Sequence, residues 1–137
     1  VRSGYEYQIR DWLEANNIDY EYESETLDYD SPVKGARCTE CGAKVTKPRR
    51  YTPDFVILRP DPYDPRNWLK TYIEAKGRFP STDRSKMRDV KRCHPDKDFR
   101  LLFQRRSKKD EAALQKWCDK FGFECAFGVE VPKEWLS

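Results

Sequence analysis

The sequence predicts an α/β domain in which a mixed central sheet is flanked by helices. Three observations carry that expectation. Apolar residues recur at helical spacing in separate segments, β-rich apolar runs lie between those segments, and the resulting order is helix, strand, strand pair, helix, strand, helix. With 137 residues the chain can bury one core but not two comfortable ones, so residues 1–137 are read as a single domain.

The first element is a helix. Ser3 and Glu6 form a capping box, and Tyr5, Ile9, Trp12 and Leu13 keep helical spacing until Asn16 and Asn17 end the pattern. Ile18, Tyr20 and Tyr22 then alternate with Asp19, Glu21 and Glu23, which is the period of a half-buried strand. Residues 28–50 carry Pro32, Gly35, Gly42 and Pro48 without sustained periodicity and are expected to form an inserted arm or bridge outside the core sheet.

Residues 51–58 and 69–75 read as the two strands of a long hairpin, joined by an extended, proline-rich surface loop over 59–68. Ser81–Cys93 has only Met87 and Val90 as large apolar residues among many basic ones, the pattern of a helix facing solvent or phosphate. A short buried strand follows at 99–103. Ala112, Leu114, Trp117 and Phe121 then define a helix over Lys108–Phe121, stopped by Gly122, and a last strand at 123–127 leads into a tail through Trp135.

The hydrophobic and charged fractions are equal at 37%, which alone would leave folding in doubt, but 4 Trp, 8 Tyr and 7 Phe supply a core. The net charge of +3 is too small to name a partner, so the distribution has to do so. Acidic residues gather at Glu21, Glu23, Glu25, Asp28 and Asp30, and basic ones at 44–50, 78–92 and 105–109. Separate zones of this kind suit a metal site beside a phosphate track.

Five cysteines are an odd number, and no signal peptide or membrane-length apolar run is present, so a reducing cytoplasm without disulfides is expected. The chain begins at Val1, not a methionine, which leaves open whether an N-terminal arm precedes it.

The chemistry resides in Pro53-Asp54 on one strand and Glu74-Ala75-Lys76 ending the next. Glu74 and Lys76 are two apart and so share a strand face, roughly 6 to 7 Å apart along the backbone. Asp54 on the neighbouring strand completes a carboxylate pair suited to Mg²⁺ or Mn²⁺. Phosphodiester hydrolysis needs charge neutralisation, an activated water and a stabilised leaving oxygen, and a divalent cation supplies all three. Lys76 would position or activate the water or stabilise the transition state. The alternative, a surface Glu74–Lys76 pair with Asp54 in a turn, fits poorly with the apolar run Thr71-Tyr72-Ile73 before Glu74.

Basic residues flanking this motif are the expected DNA contacts: Arg2, Arg49 and Arg50; Arg78, Arg84, Lys86, Arg88, Lys91 and Arg92; and Arg105, Arg106, Lys108 and Lys109. His94, before Pro95, is expected to cap a helix or meet a phosphate. Cys118 and Cys125, set among aromatic residues, are expected to be small core residues. Cys38-Thr39-Glu40-Cys41-Gly42 has the form of a zinc knuckle, which provides two of four ligands. The other two would be Cys38 and Cys41 of a partner subunit, or Cys93 and His94 of the same chain; the alternative is a metal-free turn.

Taken in order, Arg2-Ser3-Gly4 with Glu6, Tyr20-Glu21-Tyr22-Glu23, Tyr51-Thr52-Pro53-Asp54-Phe55, Glu74-Ala75-Lys76-Gly77, His94-Pro95 and Pro132-Lys133-Glu134-Trp135 resemble the endonuclease I family of phage Holliday-junction resolvases, within the PD-(D/E)xK nuclease superfamily. The likeness spans nearly the whole chain. It implies a restriction-endonuclease-like fold, an intertwined, domain-swapped homodimer, Mg²⁺ or Mn²⁺ dependence, and resolution of four-way DNA junctions. It also implies that Glu6 joins Asp54 and Glu74 as an active-site and metal-binding carboxylate, whereas its local role is only to partner Ser3. Two features depart from the pattern: the proline-rich 59–68 stretch and the Cys38–Gly42 expansion of the arm. A nicking, mismatch-directed or site-directed duplex endonuclease on the same fold, and a non-catalytic DNA-binding protein, are the competing readings.

Overall fold

The structure, a computed structural model, describes residues 4–136. Ser3, the expected cap of the first helix, and Arg2, an expected DNA contact, lie outside the described residues.

Helix α1 (Gly4–Ala15) turns Tyr5, Ile9 and Leu13 inward, as their spacing predicts. It ends where Asn17 takes the left-handed conformation at φ 56°, and the Ile18 amide returns to the Leu13 carbonyl at 3.0 Å. Strand β1 (Tyr20–Tyr22) follows, then β2 (Leu27–Arg37), β3 (Lys44–Tyr51), β4 (Phe55–Asp61), β5 (Asp64–Lys76), α2 (Ser81–Cys93), β6 (Asp98–Phe103), α3 (Lys108–Phe121) and β7 (Glu124–Phe127). A single 3₁₀ turn at Lys133–Trp135 closes the described chain.

Five strands form the central sheet in the order β1-β4-β5-β6-β7. The β1–β4 and β4–β5 pairs are antiparallel, and β5–β6 and β6–β7 are parallel, each parallel step crossing over through a helix. This is the mixed sheet the sequence implies.

Strict alternation divides the strand side chains between two cores. Phe55, Ile57, Ile73 and Leu102 point to one face, where Tyr5, Ile9 and Leu13 of α1 meet Val131 and Trp135 of the tail. Val56, Tyr72, Leu101 and Phe103 point to the other, against Met87 and Val90 of α2 and Leu114 and Cys118 of α3. Ser107 caps α3 by accepting from the Asp110 amide at 3.2 Å, and Gly122 stops it at φ 75°.

Two stretches read as irregular are in fact hairpins. The arm is a two-stranded sheet of β2 and β3, rooted by Leu27, Tyr29 and Tyr51 in the α2-side core and exposed along most of its distal half. The expected surface loop over 59–68 is largely ladder: β4 and β5 stay paired from Phe55–Ile73 out to Asp61–Asp64. Its prolines fit because β1 and β6 flank only the inner part of this pair. Pro60 and Pro65 therefore sit where one strand edge is open and a missing amide costs no ladder bond. Among the described residues, no helix is long and apolar enough to cross a membrane.

Candidate active site

The antiparallel register pairs Phe55 with Ile73, and one step further along it Asp54 faces Glu74. On the other side of β4, Tyr22 pairs with Phe55, and the Glu23 amide donates to the Asp54 carbonyl at 3.0 Å. Three neighbouring strand ends thus present Glu23, Asp54 and Glu74 in one row. Helix α1 brings Glu6, in its first turn, up to that row.

Carboxylate oxygens of Glu6, Glu23 and Asp54 all lie within 4.8 Å of one another. Glu6 and Asp54 are in side-chain hydrogen-bond contact, an arrangement that needs a proton between two acids. Tyr22 donates to Glu6 Oε1 at 3.1 Å and the Ala75 amide to Asp54 Oδ2 at 2.9 Å, so the oxygens are held by the frame around them. Burial, followed by the charge of Glu74, pushes the Asp54 carboxyl up to about 8; the Ala75 amide opposes them, and Glu6 adds to the rise. Hard oxygen donors this close, in a partly desolvated setting, fit a divalent cation, which would relieve the repulsion among them.

Glu74 is 6% exposed and fully engaged. Its Oε2 accepts from the Tyr51 hydroxyl, and Oε1 lies 3.3 Å from the Lys76 ammonium. Burial beside a carboxylate raises the Tyr51 phenol well above its ordinary range, so it remains a donor. Lys76 also meets Asp83 of α2 at 3.5 Å. Burial works against its charge, but Glu74, Asp83 and Asp54 outweigh burial and hold the ammonium above its ordinary value.

All four expected catalytic residues, Glu6, Asp54, Glu74 and Lys76, therefore come together. Glu74 stands beside the tight oxygen cluster and not inside it. Sequence reasoning missed three participants: Glu23, Tyr51 and Asp83. Glu23 was hidden by strand alternation, which assigns it to the solvent side with Glu21, yet β1 ends at Tyr22 and Glu23 adopts φ 47°, leaving the pleat. Tyr51 could have been found as the residue three before Asp54 that ends the arm. Nothing local marks Asp83.

The basic residues divide by position. Parallel pairing of Lys76 with Phe103, and the Gln104 amide on the Lys76 carbonyl at 3.0 Å, put the 104–109 segment beside the site. Arg78, Arg105, Lys108 and Lys109 are exposed there, with Arg105 paired to Glu111 and Arg106 bonded to the Gly77 carbonyl. Lys86 lies over the Tyr51 ring at 5.1 Å, while Arg49 and Arg50 are exposed on the arm facing α2 across an open cleft.

The remaining basic side chains have internal partners. Arg84 donates to the Phe79 carbonyl at 2.8 Å and lies over Trp117, and Arg88 covers Phe121. Lys91 donates to the Gly122 carbonyl and Arg92 to the Asp30 carbonyl, each at 2.8 Å, at the far end of α2. His94 Nε2 bonds the Asp28 carbonyl at 2.6 Å, anchoring the arm. Cys118 is wholly buried and in thiol contact with half-buried Cys125.

Comparison with known proteins adds to this geometry. The sequence profile described as Phage endonuclease I matches residues 1–137. The chain is 27% identical over 140 residues to Endonuclease I of Escherichia phage T7, an alignment covering 99% of this chain and 78% of that protein. It is 29% identical over 143 residues to Endodeoxyribonuclease 1 of Enterobacteria phage T3, covering 97% of this chain and 79% of the relative.

Proposed function

The chain belongs to the phage endonuclease I family, and on that premise we propose that it is a metal-dependent DNA endonuclease that resolves four-way junctions and other branched DNA by phosphodiester hydrolysis. The observation that carries the reading is the convergence of Glu6, Glu23 and Asp54 within 4.8 Å, beside the Glu74–Lys76 pair.

Glu6, Glu23 and Asp54, with Glu74 alongside, would hold Mg²⁺ or Mn²⁺. When bound, such a cation offsets phosphate charge and makes water more acidic. The other roles belong to the side chains. Lys76 has three N–H donors, of which Glu74 and Asp83 engage two, leaving one for the attacking water or a phosphate oxygen. Tyr51 orients Glu74, and Glu74 in turn holds Lys76 over the row of acids. Arg78, Arg105, Lys108 and Lys109 would grip the sugar-phosphate backbone without reading bases.

The preference for branched DNA and the intertwined homodimer rest on the sequence resemblance, and the arm supports both. It is a cationic hairpin that stands off the central sheet yet is coupled to the site through Tyr51. Two sites in one dimer would cut both strands at a junction. The site of action would be the cytoplasm of the infected host.

The deciding experiment is Mg²⁺-dependent cleavage of a four-way junction beside a matched linear duplex, with wild type and Asp54→Ala. Junction cutting lost in the variant while binding survives is the expected result. A protein that nicks duplex and ignores junctions would retain the nuclease reading and lose the resolvase one. Binding without cleavage in either Mg²⁺ or Mn²⁺ would leave a non-catalytic DNA-binding protein.

A further inference from the structure

We propose that Cys38 and Cys41, at the tip of the arm, form half of a structural zinc site that the same two cysteines of a second copy complete. The turn between them has the shape such a site needs. The Cys38 amide donates to the Ala43 carbonyl at 2.8 Å, and the Gly42 amide returns to the Cys38 carbonyl at 2.9 Å. Gly42 takes φ +72°, which a side chain would oppose. The Cys41 thiol lies close to Cys38 Sγ, with the backbone of Glu40 and Cys41 beside it.

Among the described residues, the chain does not finish the tetrahedron. Cys93 and His94, the only other sequence candidates, are held at the root of the arm, where Cys93 Sγ accepts from the Asp30 amide at 3.5 Å and His94 bonds the Asp28 carbonyl. Eight residue steps along β2 separate Asp30 from Cys38, a span of up to about 26 Å. Among the described residues, no group of three or more metal-binding side chains includes Cys38 or Cys41. Two neighbouring thiols with no third ligand grouped with them among the described residues are what a shared Cys₄ site leaves on each subunit.

The surroundings point to a second copy as the source of the other pair. A lone two-stranded hairpin is marginal in water, and from Lys44 to Arg50 every residue of β3 is exposed. Val33 and Val45, next to the Pro32–Thr46 pair, are 40% and 39% exposed, large apolar side chains in reach of a partner surface. The distal arm also carries Lys34, Arg37, Lys44 and Lys47, so two arms would repel each other. Four thiolates around one Zn²⁺ add a net negative charge where the arms meet, and the metal supplies the staple that so small a hairpin lacks.

The test is the zinc content and mass of the intact protein, produced with zinc and purified without chelators. One zinc per two chains in a dimer, lost in Cys38→Ser and in Cys41→Ser, is expected. Cobalt substitution should give intense thiolate-to-metal charge-transfer absorption, which the carboxylate cluster cannot produce. Zinc-free dimer, zinc unchanged by both substitutions, or a Cys38–Cys41 disulfide would overturn the site, as would one zinc per chain in a monomer. The proposal uses the homodimer but not the nuclease chemistry. Light scattering on Cys38→Ser separates the two: an intertwined dimer should survive the loss of zinc, whereas a monomeric wild type would sink the dimer itself.

Discussion

The hydroxyl of Tyr51, the last residue of the arm, donates to Oε2 of Glu74 in the central sheet. A residue of one sheet thereby sets the orientation of an acid in the other. Removing that donor leaves the Glu74 carboxylate buried with one oxygen unsatisfied. Tyr51→Phe should lower Mg²⁺-dependent cleavage about 10- to 100-fold, the usual cost of losing an outer partner of a metal-site ligand. The ring still packs on Phe99, so circular dichroism should report an unchanged fold. Full activity in this variant would remove Tyr51 from the site.

Lys76 and its two acidic partners give a graded series. Lys76→Met should abolish cleavage by on the order of 10²- to 10³-fold with DNA binding retained, as expected for a charge acting in the transition state. Asp83→Asn weakens only the positioning of the ammonium and should cost much less, mainly in turnover rate. Single-turnover cleavage against affinity measured in Ca²⁺ separates these effects. A loss of affinity equal to the loss of rate would place Lys76 in ground-state binding instead.

Metal-free stability should fall as pH rises. The Asp54 carboxyl is pushed up to about 8 from an ordinary 3.8, so the native state holds its proton more tightly than the unfolded chain does. Its contribution is complete below the unfolded value and is lost as pH climbs through the folded one. In EDTA, Tm should therefore decline between pH 5 and pH 8, and Asp54→Asn should flatten the decline. Adding Mg²⁺ should restore Tm at pH 8 and change it little at pH 5. A metal-free Tm independent of pH in wild type would contradict the crowded cluster.

Cationic side chains gripping phosphates predict a steep, sequence-independent salt dependence of DNA binding. Lys108→Ala with Lys109→Ala should reduce the slope of log K against log salt by about two, one unit for each phosphate that is no longer neutralised. Lys91→Ala should leave it nearly unchanged, because Lys91 is tied to the Gly122 carbonyl at the far end of α2. Fluorescence anisotropy across a salt series, on duplexes of different sequence, reads both effects.

Much of this was legible in the sequence for a simple reason: the signals were local and periodic. Glu74 and Lys76 share one strand, and alternation alone puts them on one face. Helices α1 and α3 announced themselves through apolar spacing and, for α3, through Gly122, whereas α2 showed as a basic run around Met87 and Val90. The arm's pairing was not legible because a two-stranded ribbon buries neither face along most of its length, and so carries no apolar alternation. The 59–68 prolines misled because they break a central strand but not an open edge. Glu23 was lost to a positive φ that no pattern of side chains reveals, and Asp83 to packing between helix and sheet.

The helix that carries Glu6 is bound to the far end of the chain. Tyr5 donates to the Gly128 carbonyl at 2.5 Å, across 123 residues, and α1 shares its core with Val131 and Trp135. In synthesis the two partners are made 123 residues apart. Docking of α1, and with it the placing of Glu6 beside Asp54, should therefore be a late event in folding that waits for residues 128–135. The oxygen cluster is thus assembled from the most distant parts of the described chain.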